Sequence, residues 1–460
     1  MLIKALIGVT FSMKRKNTRR SARVSCKKVT ISNKARGLTS QAGLIPVVKF
    51  LRRANIITLI KGTVEHQRGD NALYDTADAV ILTMTAIIGG ARSLQGVTTL
   101  WADGVLRKLA GWVSIPDNST FGRLFRSFHQ RHVVQLETLN HRLRGRFWRR
   151  ALRSGSSTIA VRDYRVIDVD STGKTAYGKQ QGVKKGYNPP RKGKSSFHPI
   201  LAFCAETKEI LQGWLRSGDA YTGNGVVEFM KQLLAHLPRK QKIFFRGDSG
   251  FFNGNLFELL EKNNHGYLVK VKLKNLKKLL IAQEWEAVPG HLGWEQAEFQ
   301  HKCGKWQHSR RFVALRQEKE KPQNANGVLF EMKEYAYFCY VTTKNLQPWE
   351  THKFYGKRAT CETWIEEAKN QMALAHIKMD DFWGTSAVFQ CAILAYNTLR
   401  WMALCSADRE LKRWEPGTVR TFLVRVAGRI QTGSRQLGLD TPANHLYPTQ
   451  WDAWVAVGLS

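Results

Sequence analysis

The chain is poor in acid. Its 460 residues hold 36 Asp plus Glu against 72 Lys plus Arg, a formal net charge of +36 at pH 7. It lacks any run of about 18 apolar residues, which excludes a membrane-spanning helix. The most apolar stretch, Ala387 to Leu404, is interrupted by Gln390, Asn397, Thr398 and Arg400, and reads as a buried helix. Cysteine is scarce and scattered: seven residues, an odd number, with no CxxC. That excludes a disulfide framework and a zinc ribbon and fits a reducing compartment. Export is not expected either. The opening MLIKALIGVTFS has a short apolar part, no A-x-A site, and the basic Lys14, Arg15, Lys16, Arg19 and Arg20 behind it.

With 43% hydrophobic and 10% aromatic residues, the chain can bury real cores and is not globally disordered. Its length predicts two to four domains. So large a positive excess attracts polyanions. Basic residues run along the whole chain and alternate with aromatics, as in Phe147-Trp148-Arg149-Arg150. An extended nucleic-acid track fits that spread better than one membrane patch or an acidic protein.

Residues 1–36 read as a basic flexible tail, and 37–153 as a helical DNA-binding domain. Ala79, Val80, Leu82, Met84, Ala86 and Ile87 form an apolar helix that Gly89-Gly90 ends. Pro116-Asp117-Asn118-Ser119 caps a second start, before Phe121, Leu124, Phe125 and Phe128. From Ser154 the pattern changes to strands at Val166–Asp170, Ile200–Ala205, Ile243–Arg246 and Tyr267–Val271, with helices near 225–237 and 256–262. That succession predicts an α/β core. The core is read as two parts, 154–284 and 346–402, interrupted by a β-rich segment, 285–345. Residues 403–460 read as a C-terminal helical region.

In so basic a chain, two acidic strand ends stand out. Asp168 and Asp170 fall on one face of the first strand. Asp248 ends the third strand, before Ser249-Gly250. Strand C-termini are where open α/β sheets hold ligands, although the same Asp-Ser segments suit caps and turns. Gly247-Asp248-Ser249-Gly250 also resembles a serine-protease nucleophile turn, a reading set aside with export. On a helix, Tyr355, Arg358, Glu362, Glu366 and Lys369 share one stripe. That stripe reads as a salt-bridged surface or as the wall of an active site. Asp170, Asp248 and Glu362 together offer three carboxylates for two Mg²⁺ ions, with Asp168 in reserve for Asp170. Such a pair of metals supports in-line phosphoryl displacement.

Tyr355-x2-Arg358-x3-Glu362-x6-Lys369 resembles the YREK signature of bacterial insertion-sequence transposases of the DDE class. Asp170-Ser171-Thr172 and Asp248-Ser249-Gly250-Phe251-Phe252 resemble their two aspartate motifs. Gly178 to Pro189, and Arg216-Ser217-Gly218 followed by Asn224-Gly225, are similar to the branch that mobilises neighbouring resistance genes. The motifs occur in order, with gaps of 248 − 170 = 78 and 362 − 248 = 114. The likeness spans about residues 37 to 400. One departure is the extended N-terminus, for which Met13 is an alternative start.

The resemblance implies an RNase H-like core carrying a β-rich insertion, and cut-and-paste chemistry with two Mg²⁺ ions, for which Mn²⁺ substitutes. Its catalytic and metal-binding residues would be Asp170, Asp248 and Glu362. Tyr355, Arg358 and Lys369 would lie at the DNA, and Glu366 would support the ligands from behind or pair with Lys369. It further implies double-stranded DNA as partner (terminal repeats and target), a homodimer in the synaptic complex, and a cytoplasmic, nucleoid-associated bacterial location. The alternative reading is a catalytically inactive repressor or end-binding protein.

Prolines and glycines between Lys174 and Lys194 disfavour regular structure. Lys179, Lys184, Lys185, Arg191, Lys192 and Lys194 there, with Tyr177 and Tyr187, read as a phosphate-tracking loop. Trp285, Trp294 and Trp306 suit a core, or stacking on a flipped base. His301, Cys303 and His308 are too weakly patterned for zinc. A protein with six to ten phosphate contacts should lose roughly 10³–10⁵ in DNA affinity between about 50 and 200 mM salt. Neutralising Lys184, Lys185, Arg191, Lys192 and Lys194 together is expected to flatten that slope in a binding titration. An unchanged slope would remove the loop from the backbone.

Overall fold

Apolar alternation with period two sets the faces of a central sheet. In the strand Tyr164–Ser171 (β1), Ile167 and Val169 enter the main core, while Val166 enters a second, smaller one. The same parity holds in Lys242–Gly247 (β4), where Ile243 and Phe245 oppose Phe244, and in Gly266–Lys270 (β5), where Tyr267 and Val269 oppose Leu268. Asp168 and Asp170 therefore share the face of Val166, the side of the smaller core. The computed structural model describes residues 31–69, 72–160, 163–186, 192–238, 240–304, 306–319 and 334–459.

The remaining strands of this sheet are Ile200–Cys204 (β2), Ile210–Trp214 (β3), Glu286–Ala287 (β6), Trp294–His301 (β7), Arg310–Glu318 (β8) and Tyr335–Thr342 (β9). Their order is β6-β7-β8-β9-β5-β4-β1-β2-β3. β1, β4 and β5 run parallel, β2 pairs antiparallel with β1 and β3, and β6 to β9 form an antiparallel extension joined through β9 to β5. Strand β3 is not expected from the sequence, because Gln212-Gly213 breaks its apolar run.

Between Leu44 and Arg153 the chain is helical; the Gly89-Gly90 end and the Asp117 cap lie where the sequence placed them, and Asp75 is a cap the sequence reading did not name. The Asp75 carboxylate accepts from the Asp78 N–H at 2.7 Å, and Gly90 (φ 112°) closes that helix, Thr76–Gly89. Asp117 accepts from the Thr120 N–H at 2.7 Å and opens Asn118–Arg126. The last of these helices, Gln130–Arg153 (α1), packs on the 24-residue helix Phe382–Cys405. Pro348–Gly356 (α2) and Ala359–Glu366 (α3) precede that central helix, here α4.

Helix α4 is buried all round, so each polar residue that interrupts its apolar run has a partner. The Asn397 carboxamide donates to the Ile210 carbonyl and accepts from the Ile210 N–H, both at 2.8 Å. It thus satisfies backbone groups of the edge strand β3. Gln390 donates to the Gly213 carbonyl at 2.7 Å, and Arg400 pairs with Glu367. Among the described residues, no single helix is long and apolar enough to cross a membrane.

Two expectations change. Residues 403–460 are helical only in part. Gly428–Thr432 and Leu437–Asp440 form a hairpin whose outer partner is Leu38–Thr39, with Gly433 in its turn. The basic loop contains a small three-stranded sheet, Lys174–Thr175, Ser195–Phe197 and Lys184–Lys185, because Gly186 and Gly218 let backbones approach closely. Trp285, Trp294 and Trp306 act as packing walls: Arg316 lies 4.6 Å over Trp285, Trp294 stacks on Phe338, and Arg310 lies 4.5 Å over Trp306. The basic N-terminal stretch lies, up to Thr30, outside the described residues.

Glu137 on α1 is a buried carboxyl between three glutamines, Gln232 (2.5 Å), Gln212 (3.3 Å) and Gln390 (3.4 Å), all donating to it. Burial raises its pKa to about 7. The folded protein therefore holds a proton that the unfolded chain releases above its usual value of about 4.3. Stability is full below that value and falls as pH rises through about 7, by roughly 3 kcal/mol at most. Thermal melts should show Glu137→Gln more stable than the native protein at pH 8, with the gap closing toward pH 5. A gap independent of pH would contradict this.

Candidate active site

The strand register brings the two acidic motifs together. Val169 pairs with Gly247 across parallel β1 and β4, so Asp170 and Asp248 leave neighbouring strand ends at the same height. Their backbones are then about 5 Å apart. Asp248 also caps a short turn, Ser249–Phe251, and accepts from the Gly250 N–H at 2.9 Å. The turn reading of that motif and the ligand reading thus coexist in one side chain.

Asp168, one register step earlier, has a different environment. It is 0% exposed and accepts two bonds from Arg246, each 2.7 Å, from Nε and Nη2. Arg246 also donates to the Phe354 carbonyl at 2.7 Å, which ties α2 to the sheet. Both carboxylate oxygens of Asp168 are committed, so it is no reserve for Asp170.

The segment carrying Tyr355 to Lys369 is not one helix. It breaks at Lys357-Arg358 between α2 and α3, then ends in a π-helical turn, Glu367–Gln371. Gly356 weakens the helix at the break by about 1 kcal/mol relative to alanine. The break carries Arg358 down onto β1, where its Nη2 donates to the Val169 carbonyl (3.2 Å) and pairs with Asp170 Oδ2 (3.1 Å). Lys369 lies on the π turn and pairs with Glu366 at 3.4 Å, the partner expected for it. Glu362 is exposed at the start of α3, and no hydrogen bond among the described residues fixes its carboxylate.

Burial, reinforced by the charges of Asp248 and Glu362, raises Asp170 to about 6 against the pull of Arg358. Burial opposes the Arg358 charge, but Asp170, Tyr355, Cys361 and Asp248 together more than offset it and keep the guanidinium protonated. Burial and the same three carboxylates lift the Tyr355 hydroxyl to about 12, so it stays a donor. Asp170, Asp248, Glu362, Tyr355 and Arg358 thus share one electrostatic site. Among the described residues, no three metal-capable side chains converge on a point.

Sequence reasoning missed a support behind Asp170. His198 Nδ1 lies 2.6 Å from the Ala220 carbonyl and can only donate to it, so neutral Nε2 accepts from Ser171 Oγ at 3.0 Å. Thr222 Oγ1 lies 3.1 Å from Ser171 and packs against Gly250, where a Cβ would meet it at 2.6 Å. Arg216 fixes this loop by donating to the carbonyls of His198, Tyr221, Thr222 and Asn224. The only signal in the sequence was a His-Pro before an apolar strand. Of the loop cations, Lys179, Lys184, Lys185, Lys192 and Lys194 are exposed. Lys184 pairs with Asp219 at 2.8 Å, and Arg191 lies outside the described residues.

Carboxylates gathered at the ends of neighbouring parallel strands, under a basic surround, describe an enzyme that works on phosphate esters. The chain belongs to the transposase DDE domain group 1 family, whose sequence model matches residues 21–456. No protein of curated function matches it. Among solved structures, a piggyBac transposase synaptic complex with hairpin DNA is similar at 14% identity and TM-score 0.38, covering 80% of this chain and 81% of that chain. That likeness is too distant to carry an argument about the site.

Breaking the Asp168–Arg246 pair from one side leaves a charge buried without a partner. Asp168→Ala should therefore cost about 3–5 kcal/mol in denaturant unfolding. A loss below about 1 kcal/mol would show that the pair does not hold the sheet to α2.

Proposed function

We propose that this protein is the DNA transposase of a bacterial insertion sequence, acting in the cytoplasm on nucleoid DNA. It binds the terminal repeats of its element, cleaves them by metal-assisted hydrolysis and joins 3′ ends to target DNA, with two copies bridging the two ends. The observation that carries this reading is the juxtaposition of Asp170 and Asp248 at the ends of β1 and β4, with Glu362 close enough to act on Asp170. The order β3-β2-β1-β4-β5, in which β2 alone is antiparallel, supports an RNase H-like core. On that reading β6 to β9 are its β-rich insertion.

The donor set fits Mg²⁺, with Mn²⁺ as substitute: all three candidates are hard carboxylate oxygens, and their mutual repulsion favours a dication. Asp170, Asp248 and Glu362 would hold it, the exposed Glu362 having the freedom to swing inward. Bound metal supplies an activated water or 3′-hydroxyl and stabilises the leaving oxygen. Arg358 orients the Asp170 carboxylate while gripping the strand that carries it. Tyr355 presents a protonated hydroxyl to the DNA end. Lys369 is held by one weak ion pair and can turn to a phosphate, and the lysines between Lys179 and Lys194 extend the track.

Asp170→Ala, Asp248→Ala and Glu362→Ala are each expected to abolish cleavage of duplexes bearing the element's ends and to leave DNA binding largely intact. Full cleavage by any of them would refute its assignment. A native chain that binds ends but never cuts in Mg²⁺ or Mn²⁺ would instead support an inactive repressor. Glu362→Gln should be dead in Mg²⁺, whereas Glu366→Gln, which loses only its contacts with Lys369 and Asn370, should keep measurable activity. The reverse result would move the ligand to Glu366.

A further inference from the structure

A groove of about 820 Å³ lies where α1 ends beside the end of helix Leu44–Arg53. Arg53, Arg146, Arg149, Arg150 and Arg153 line it, with Phe147 and Asn55 between them. No carboxylate lines it among the described residues. Arg53, Arg149 and Arg153 are exposed and have no acidic partner among the described residues. Arg146 donates to the Ala54 carbonyl, and Arg150 to the Val457 carbonyl at 2.7 Å.

Arginines at helix C-termini often serve only to offset the helix dipole. Here two helix ends supply about half a negative charge each. Against the three exposed guanidinium groups of Arg53, Arg149 and Arg153 alone, that leaves roughly two positive charges uncompensated among the described residues. On α1 the spacing 146, 149, 150 and 153 places four arginines on one stripe about 10 Å long. At about 3.4 Å of rise per phosphate along one strand, that length matches about three consecutive phosphates.

The groove is not part of the carboxylate site. Arg165, at the start of β1, lies 4.6 Å from the Trp148 ring of α1, so this end of α1 sits beside the beginning of β1. Asp170 lies five residues further on, about 16 Å along the strand. That distance corresponds to roughly five base-pair steps.

We infer that this groove grips the phosphate backbone of duplex DNA away from the bond being cut, a second anchoring surface separate from the carboxylates. The inference rests on the transposase reading, which supplies duplex DNA as the polyanion. The surface sets how firmly and in what direction the helix leaves the active site, and takes no part in the chemistry.

The test uses the full chain with Arg53→Gln, Arg149→Gln and Arg153→Gln combined, and with the three Lys replacements as control. Loss of three phosphate contacts should reduce the slope of log affinity against log salt by about 2.7. The native protein would then lose about 40-fold more affinity than the Gln variant between 50 and 200 mM salt. The Lys variant should keep the native slope, and single-turnover cleavage at saturating protein should be unchanged in both. Neutral methylphosphonates about five or more base pairs from the cleaved bond should weaken native binding and have no effect on the Gln variant. The same native slope in the Gln variant would overturn the inference. So would interference confined to the cleaved phosphate, or single-stranded RNA competing as well as duplex DNA. A native chain that neither binds nor cuts duplex DNA would overturn the transposase reading itself.

Discussion

The buried pair between Asp168 and Arg246 is the joint on which the site is built. It spans β1 and β4 two residues before the two candidate carboxylates, and its third hydrogen bond holds the Phe354 carbonyl of α2. Taking two full charges out of water is expensive, and only complete hydrogen bonding makes it tolerable. Here both oxygens of Asp168 are used, and the guanidinium lies 5.0 Å over the Phe354 ring. The consequence is orientation. With α2 fixed at Phe354, Tyr355 lies over the sheet, and the chain breaks so that Arg358 reaches the Val169 carbonyl and Asp170.

Electrostatics then runs outward in layers. Arg246 neutralises Asp168, Arg358 partly neutralises Asp170, and among the described residues neither Asp248 nor Glu362 forms an ion pair. That residual negative charge sits inside a chain carrying +36. Acidic residues are few, and most of those near the core hold the structure together. Glu209 accepts from the indoles of Trp148 and Trp401, and Glu367 pairs with Arg400. On the proposed function, a polyanion drawn in by the basic chain would meet the carboxylates of Asp170, Asp248 and Glu362, and a divalent metal would resolve the conflict of sign.

Much of this was legible in the residues because it is local. Period-two alternation placed Asp168 and Asp170 on one face, Asp117 marked a helix start ahead of an apolar run, and the polar interruptions of α4 marked it as buried in protein. Motif spacing also picked out Asp170 and Asp248, which the β1–β4 register sets at neighbouring strand ends. Alternation alone could not separate Asp168 from Asp170. The distinction depends on Arg246, 78 positions later than Asp168, reaching one aspartate and not the other.

By itself, then, the sequence determined periodicity, capping, charge and the order of its acidic motifs, because each is a property of neighbouring residues or of composition. Only the tertiary structure decided the Val169–Gly247 register, the break that turns Arg358 inward, the His198–Ser171–Thr222 support, and the arginine groove. Each of these joins residues tens to hundreds of positions apart. The energies that select them, such as satisfying a buried guanidinium or a strand edge, exist only once the chain has closed around them.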